Sequence, residues 1–237
     1  MMTITAQALI ACHPVYVAEF MSFNTASDIT IKTRHNKAHQ SEHMQILTNH
    51  YYVMRHGQSE ANVEGIIASD PSVGCTAYGL TETGKTQASE SIASSPNITA
   101  NTHILSSDFL RARETADIVH QAIKGKHPLH FTEKLRERFF GELNGKSDSQ
   151  YQKVWTLDKD NPDHHEYGVE SASEVVARTA ELIGVLENQF SNETFLLVGH
   201  GDVLQLLQSW FQGVSASEHR QLPHLDTAEI RRLNTAE

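Results

Sequence analysis

Two short motifs flank a histidine with small or basic residues, Arg55-His56-Gly57 and Gly199-His200-Gly201, and a third, Ser106-Ser107-Asp108, leads on to Arg111. Arginine offers a planar fork of donors and imidazole can either donate or attack, so Arg55, Arg111, His56 and His200 together suit a phosphate dianion. Neutral imidazole is a competent nucleophile near pH 7. A helix starting near Ser59 adds its own backbone N–H groups, with Ser59 and Asn62 as capping residues that also line the pocket.

For these groups to meet, the chain must place them at one edge. Short apolar runs of strand length alternate with longer helical stretches, the pattern of a mainly parallel sheet with helices on both faces, a three-layer α/β fold. Residues 51–54 read as the first strand, 103–105 and 129–132 as further strands, and Phe195-Leu196-Leu197-Val198 as a buried one. Helices are expected over residues 82–94, capped by Thr81, over 108–124, stopped by Gly125, over 173–190 and over 203–211. The stretch 141–168 reads as polar loop, with His164 and His165 exposed in it. Asp202 reads as the cap of the helix from Val203. Ligands of an open parallel sheet bind outside the carboxyl ends of its strands, and each motif directly follows a predicted strand.

The chain has 237 residues, 39% of them hydrophobic, enough for a core of useful size in one catalytic domain over residues 44–237. Residues 1–43 lack a clear core pattern and read as a poorly ordered N-terminal extension; their histidines, His13, His35, His39 and His43, lack the Cys or Asp partners of a metal site. A formal charge of -10 argues against nucleic acid or anionic membrane as partner, so an anion must be held by a local cluster of Arg and His. Cys12 and Cys75 have no metal-type spacing and fit a reducing cytoplasm. No apolar run approaches the roughly 20 residues that span a bilayer.

The run Arg55-His56-Gly57-Gln58-Ser59-Glu60-Ala61-Asn62 resembles the opening motif of the histidine phosphatase superfamily, the phosphoglycerate mutase-like proteins. In the family's order follow Gly79-Leu80-Thr81-Glu82-Thr83-Gly84, Ser106-Ser107-Asp108-Phe109-Leu110-Arg111-Ala112, Leu135-Arg136-Glu137-Arg138-Phe139-Phe140-Gly141, Gly168-Val169-Glu170-Ser171 and Val198-Gly199-His200-Gly201. The resemblance implies that His56 is the nucleophile and is transiently phosphorylated. It implies that Arg55, Arg111 and His200 bind the phosphoryl group with Gly201 beside them, and that Glu137 is the proton donor. It implies no metal and no cofactor, since positive side chains do the neutralising. In the acid-phosphatase branch the donor is an Asp directly after the second histidine; here Gly201 intervenes, so the role goes to Glu137 rather than Asp202.

Phosphatase, phosphoglycerate mutase and a catalytically idle binding module all use this fold. The complete residue set opposes the idle module. The stretch from Glu137 to Glu170 is shorter than the one that covers the site in the mutases, which favours access of water and hydrolysis of a phosphorylated small molecule or phosphoprotein. Variable loops at 64–78, with Ile66 and Ile67, and at 139–167 are expected to select the substrate.

Overall fold

The computed structural model describes residues 47–234. The predicted extension, its histidines and Cys12 lie outside the described residues. Among the described residues five strands form one sheet in the order β3-β2-β4-β1-β5: β1 (His50–Arg55), β2 (His103–Ser106), β3 (His130–Phe131), β4 (Thr194–Gly199) and β5 (Ile230–Arg232). The pairs β1/β4, β2/β4 and β2/β3 are parallel, and β5 runs antiparallel on the outer side of β1.

Alternation along the strands builds the two cores. Tyr51, Val53, Leu105, Phe195 and Leu197 face α6 (Ala172–Gln189) and α7 (Gly201–Phe211) through Leu182, Ile183, Leu186, Leu204 and Leu207. Tyr52, Met54, Ile104, Leu196 and Val198 face α3 (Glu82–Ala93) and α4 (Leu110–Ile123) through Ala88, Ile92, Ala112, Ala116 and Val119. Burying each such Leu, Ile or Val stabilises the fold by roughly 1.5–3 kcal/mol. The sandwich of helices around the sheet is the architecture read from the sequence. Of the other short helices, α1 (Glu60–Glu64) starts at Ser59 and α2 (Pro71–Gly74) at Asp70.

The structure corrects several local expectations. The 141–168 stretch is not loop throughout: α5 (Tyr151–Asp160) buries Val154 and Asp158 on its inner face. Asp108 does not begin α4, which has no side-chain cap, because its carboxylate is engaged by Arg136 at 2.8 and 2.6 Å. α4 ends before Lys124, which takes the left-handed conformation at φ 53°. Gly125 serves packing instead, since a Cβ there would stand 2.4 Å from the His120 ring.

Parallel register brings the carboxyl ends of three strands level. Arg55 pairs with Gly199 and Ser106 with Val198, while His56 N donates to Gly199 O at 3.0 Å and Ser107 N to Val198 O at 2.9 Å. The loop carrying His56 rests on the first turn of α3 with no side chain between: a Cβ on Gly84 would stand 2.1 Å from Gln58 O, and one on Gly57 2.3 Å from Gly84 O.

Candidate active site

His56 and His200 face each other edge to face, ring centroids 5.2 Å apart, both buried. His56 Nδ1 lies 2.7 Å from Gly57 O, a carbonyl that can only accept, so Nδ1 carries the proton and Nε2 the lone pair. Burial first, then the charges of Arg111 and Arg55, hold its pKa well below the ordinary 6.5, keeping the ring neutral at physiological pH. Arg111 Nε donates to that Nε2 at 3.1 Å and Nη2 to Ala68 O at 3.0 Å. His200 is likewise held well below its usual range, by burial and then Arg111. Its Nε2 lies 2.9 Å from the Ser107 hydroxyl, so a neutral ring that accepts from Ser107 offers Nδ1–H on its other side.

Arg55 Nη1 reaches His224 Nε2 at 3.0 Å and Leu225 O at 2.9 Å. Gly201 makes room for this guanidinium: a Cβ there would stand 3.4 Å from Arg55 Nε and 3.2 Å from the His224 ring. Three buried donors, Arg55 Nε, Arg111 Nη1 and His200 Nδ1, have no hydrogen-bond partner among the described residues. Leaving buried N–H groups unpaired costs about 1–3 kcal/mol each, more when charged, so three on side chains next to His56 mark a place for an anion.

Glu137 closes the group, its Oε2 3.8 Å from both Arg111 Nη2 and His200 Nδ1, with 9% of its side chain exposed. It is no solvated surface charge. Burial pushes its pKa up to about 7, Arg111 opposes, and Asp202 adds to the rise. Its segment is clamped on both sides. Arg178 donates to Lys134 O at 2.6 Å and Arg136 O at 2.9 Å, and Arg138 is fully buried against Asp158 through bonds of 2.7 and 2.8 Å.

Asp202 is not a helix cap. His200 occupies that position in α7 without a side-chain cap bond, and Asp202 turns inward to Trp155 Nε1 at 2.9 Å, Arg138 Nη1 at 3.4 Å and His219 Nε2 at 3.3 Å. These partners keep it ionised, its pKa far below the ordinary carboxylate value. His164, expected to be exposed, is buried with Nε2 2.9 Å from Asp158 Oδ1, because Asp158, interred to pair Arg138, has that oxygen free to accept from it as well. His165 is exposed as expected, bonding Val169 O at 3.0 Å.

Ser59 and Asn62 form a reciprocal capping box: Ser59 N and Oγ each donate to Asn62 Oδ1 at 3.0 Å, and Asn62 N donates to Ser59 Oγ at 3.4 Å. The loops expected over the site are stitched together, with Ile66 bridged to Ser147 and Ile67 packed on Phe140, Leu143 and Val154. Sequence reasoning gave no role to Ser107, which orients His200, nor to Tyr151, a half-buried residue on whose phenol Glu137, Arg111 and Arg55 act. Ser107 lay inside a quoted motif, whereas Tyr151 and His224 carried no signal. Among the described residues no group of three or more His, Cys, Asp or Glu is arranged to hold a metal ion, and no helix is long and apolar enough to cross a membrane.

The sequence model of the histidine phosphatase superfamily (branch 1) matches residues 51–237. The chain belongs to that superfamily. It is 29% identical over 162 residues to a probable phosphatase of Schizosaccharomyces pombe, covering 68% of this chain and 72% of that one. It is 26% identical over 175 residues to a broad-specificity phosphatase of Saccharomyces cerevisiae, covering 71% and 73%. A probable phosphoglycerate mutase of Salmonella paratyphi C is 31% identical over 192 residues, covering 78% and 85%. Among solved structures, Bacillus stearothermophilus YhfR superposes with a TM-score of 0.64 at 26% identity, covering 78% and 90%. A mycobacterial glucosyl-3-phosphoglycerate phosphatase superposes with a TM-score of 0.61 at 23% identity, covering 77% and 91%, a likeness of fold.

Proposed function

We propose that the protein hydrolyses phosphate monoesters, of small molecules or phosphoproteins, through a phosphohistidine at His56. The observation that carries this reading is the set of buried, unpartnered N–H donors from Arg55, Arg111 and His200, the side chains grouped about His56, whose Nε2 carries the lone pair. In the first step His56 Nε2 bonds to phosphorus as the ester P–O bond breaks, and Glu137 gives the leaving oxygen its proton. The guanidinium groups and His200 Nδ1–H balance charge on the equatorial oxygens. In the second step water attacks phosphorus, Glu137 takes back a proton, and the N–P bond breaks to release phosphate. A carboxyl raised to about 7 suits both directions of proton transfer.

Gly201, Ser59 and Asn62 belong to the binding side of the site, Gly201 by giving Arg55 room and the other two by fixing the turn after His56. The buried Cys75, whose thiol lies 3.6 Å from an Asp108 oxygen, suits a reducing cytoplasm. Rapid quench after brief exposure to nitrophenyl phosphate should give an acid-labile, base-stable phosphate mapped to His56 by mass spectrometry. Full activity in His56→Ala would end the mechanism. Release of free phosphate, rather than isomerised phosphoglycerate, is the product that separates hydrolysis from mutase-type transfer.

A further inference from the structure

We propose that Asn144 is a positioning residue for Arg111: it clamps the loop whose Ala68 carbonyl holds Arg111 Nη2, and so aims Nη1 at the phosphoryl group. The inference rests on the reading above, in which Arg111 binds the transferred phosphoryl.

Asn144 Oδ1 accepts from Ser69 N at 2.8 Å, Asp70 N at 3.0 Å and Ser69 Oγ at 3.2 Å. Two of these donors are backbone N–H groups, which cannot accept, so the amide oxygen and not its nitrogen faces the loop. Ser69 is buried, and its hydroxyl in turn accepts from Phe140 N at 3.0 Å. On the preceding side the same two segments share backbone bonds, Ile67 N to Lys146 O at 2.8 Å and Gly145 N to Ile67 O at 2.7 Å. Ala68 thus sits between a backbone ladder at Ile67 and the Asn144 clamp at Ser69 and Asp70.

Its carbonyl has one further task. In the resting site Arg111 Nε donates to His56 Nε2 and Nη2 to Ala68 O; once Nε2 turns its lone pair to phosphorus, the Ala68 carbonyl is the anchor left to the planar guanidinium and sets where its other N–H groups point. With the Ala68 carbonyl displaced, that anchor is lost and the guanidinium swings about its own stem. A displacement of about 1 Å in a charge-stabilising group costs on the order of 10²-fold in rate.

The experiment is a double-mutant cycle of Asn144→Ala and Arg111→Lys, read as kcat/KM for nitrophenyl phosphate and as inhibition by vanadate, with melting temperature recorded for each variant. Asn144→Ala is expected to lose on the order of 10–100-fold, chiefly in kcat, and to weaken vanadate inhibition in step. Lysine has no fork to aim, so in the Arg111→Lys background the same change should cost no more than about twofold. Asn144→Asp keeps an acceptor at the same place and should recover most of the activity; it also answers for Asn144→Ala if that variant fails to fold. Equal losses from Asn144→Ala in both backgrounds, or an Asn144→Asp no better than Asn144→Ala, would overturn the clamp. Full activity in Arg111→Lys alone would overturn the phosphoryl-binding role of Arg111 and the clamp with it.

Discussion

Glutamine at position 137 should separate two kinds of substrate by how much their leaving groups need a proton. An alkyl alcohol leaves poorly as its anion, so glycerol phosphate depends on the proton from Glu137, and general acid help of this kind is typically worth about 10²–10⁴ in rate. Nitrophenolate departs without it. The structure also sets the pH at which wild-type enzyme crosses between these regimes. With a pKa near 7, Glu137 is about half protonated at neutrality and only about 1% protonated two pH units higher. The ratio of alkyl to nitrophenyl kcat/KM should therefore be flat below neutrality and fall about tenfold per unit above pH 8. Toward acid, the His56 lone pair persists below pH 6.5 because its pKa is depressed, so attack continues there. In Glu137→Gln the ratio should be low and independent of pH. Asp202→Asn removes a like charge that helps hold Glu137 up, so the break should move to lower pH while the ratio in acid stays high. Rapid-quench measurement of phosphohistidine formation is the assay, since in the proposed mechanism Glu137 also serves the later attack of water and its loss would slow both substrates in steady turnover. Equal loss of both substrates in that first step would refute the acid role.

Turnover should be unchanged by EDTA, because arginine and histidine already supply the positive field; loss restored by one metal ion would contradict this. A chain beginning at Met44 should fold and hydrolyse phosphate esters as well as the full chain, since the sheet and both cores come from later residues; a comparison of melting temperature and kcat/KM decides it. Buried His56, His103 and His200 and half-buried His130 all have depressed pKa values, so the stability they contribute is present above pH 6.5 and lost as pH falls below it. Glu137, raised to about 7, contributes with the opposite sign between its ordinary value and neutrality, so Glu137→Gln should steepen the acid loss of the urea midpoint.

Much of the site was legible because its parts follow strands. Phe195-Leu196-Leu197-Val198 and Tyr51-Tyr52-Val53-Met54 announce buried parallel strands, and register alone then brings His56 and His200 to one edge. α5 stayed hidden for a physical reason. Its inner positions fall at Tyr151, Val154, Trp155 and Asp158, a helical spacing with an aspartate where an apolar residue is expected. That aspartate is buried because Arg138 is, and no local pattern reveals that a charged pair will be interred together. Asp202 misled in the same way: one residue inside a helix start it resembles a cap, and its real partners, Trp155 and His219, come from other elements. β5 was missed because three residues of an edge strand, two of them arginine, carry too little alternation.

The bare contact between Gly57 and Gly84 sets apart what can change in this scaffold from what cannot. Neither position tolerates even a methyl group, so the floor that carries the nucleophile is closed to drift, whatever ester the protein acts on. Elsewhere elements meet through side chains, as where Arg220 lies 3.7 Å over the Trp155 ring. Diversification, natural or in a library, should concentrate on exposed positions of the loops expected to select the substrate, such as Phe139 and Tyr167, rather than on Trp155 and His224, which hold Asp202 and Arg55.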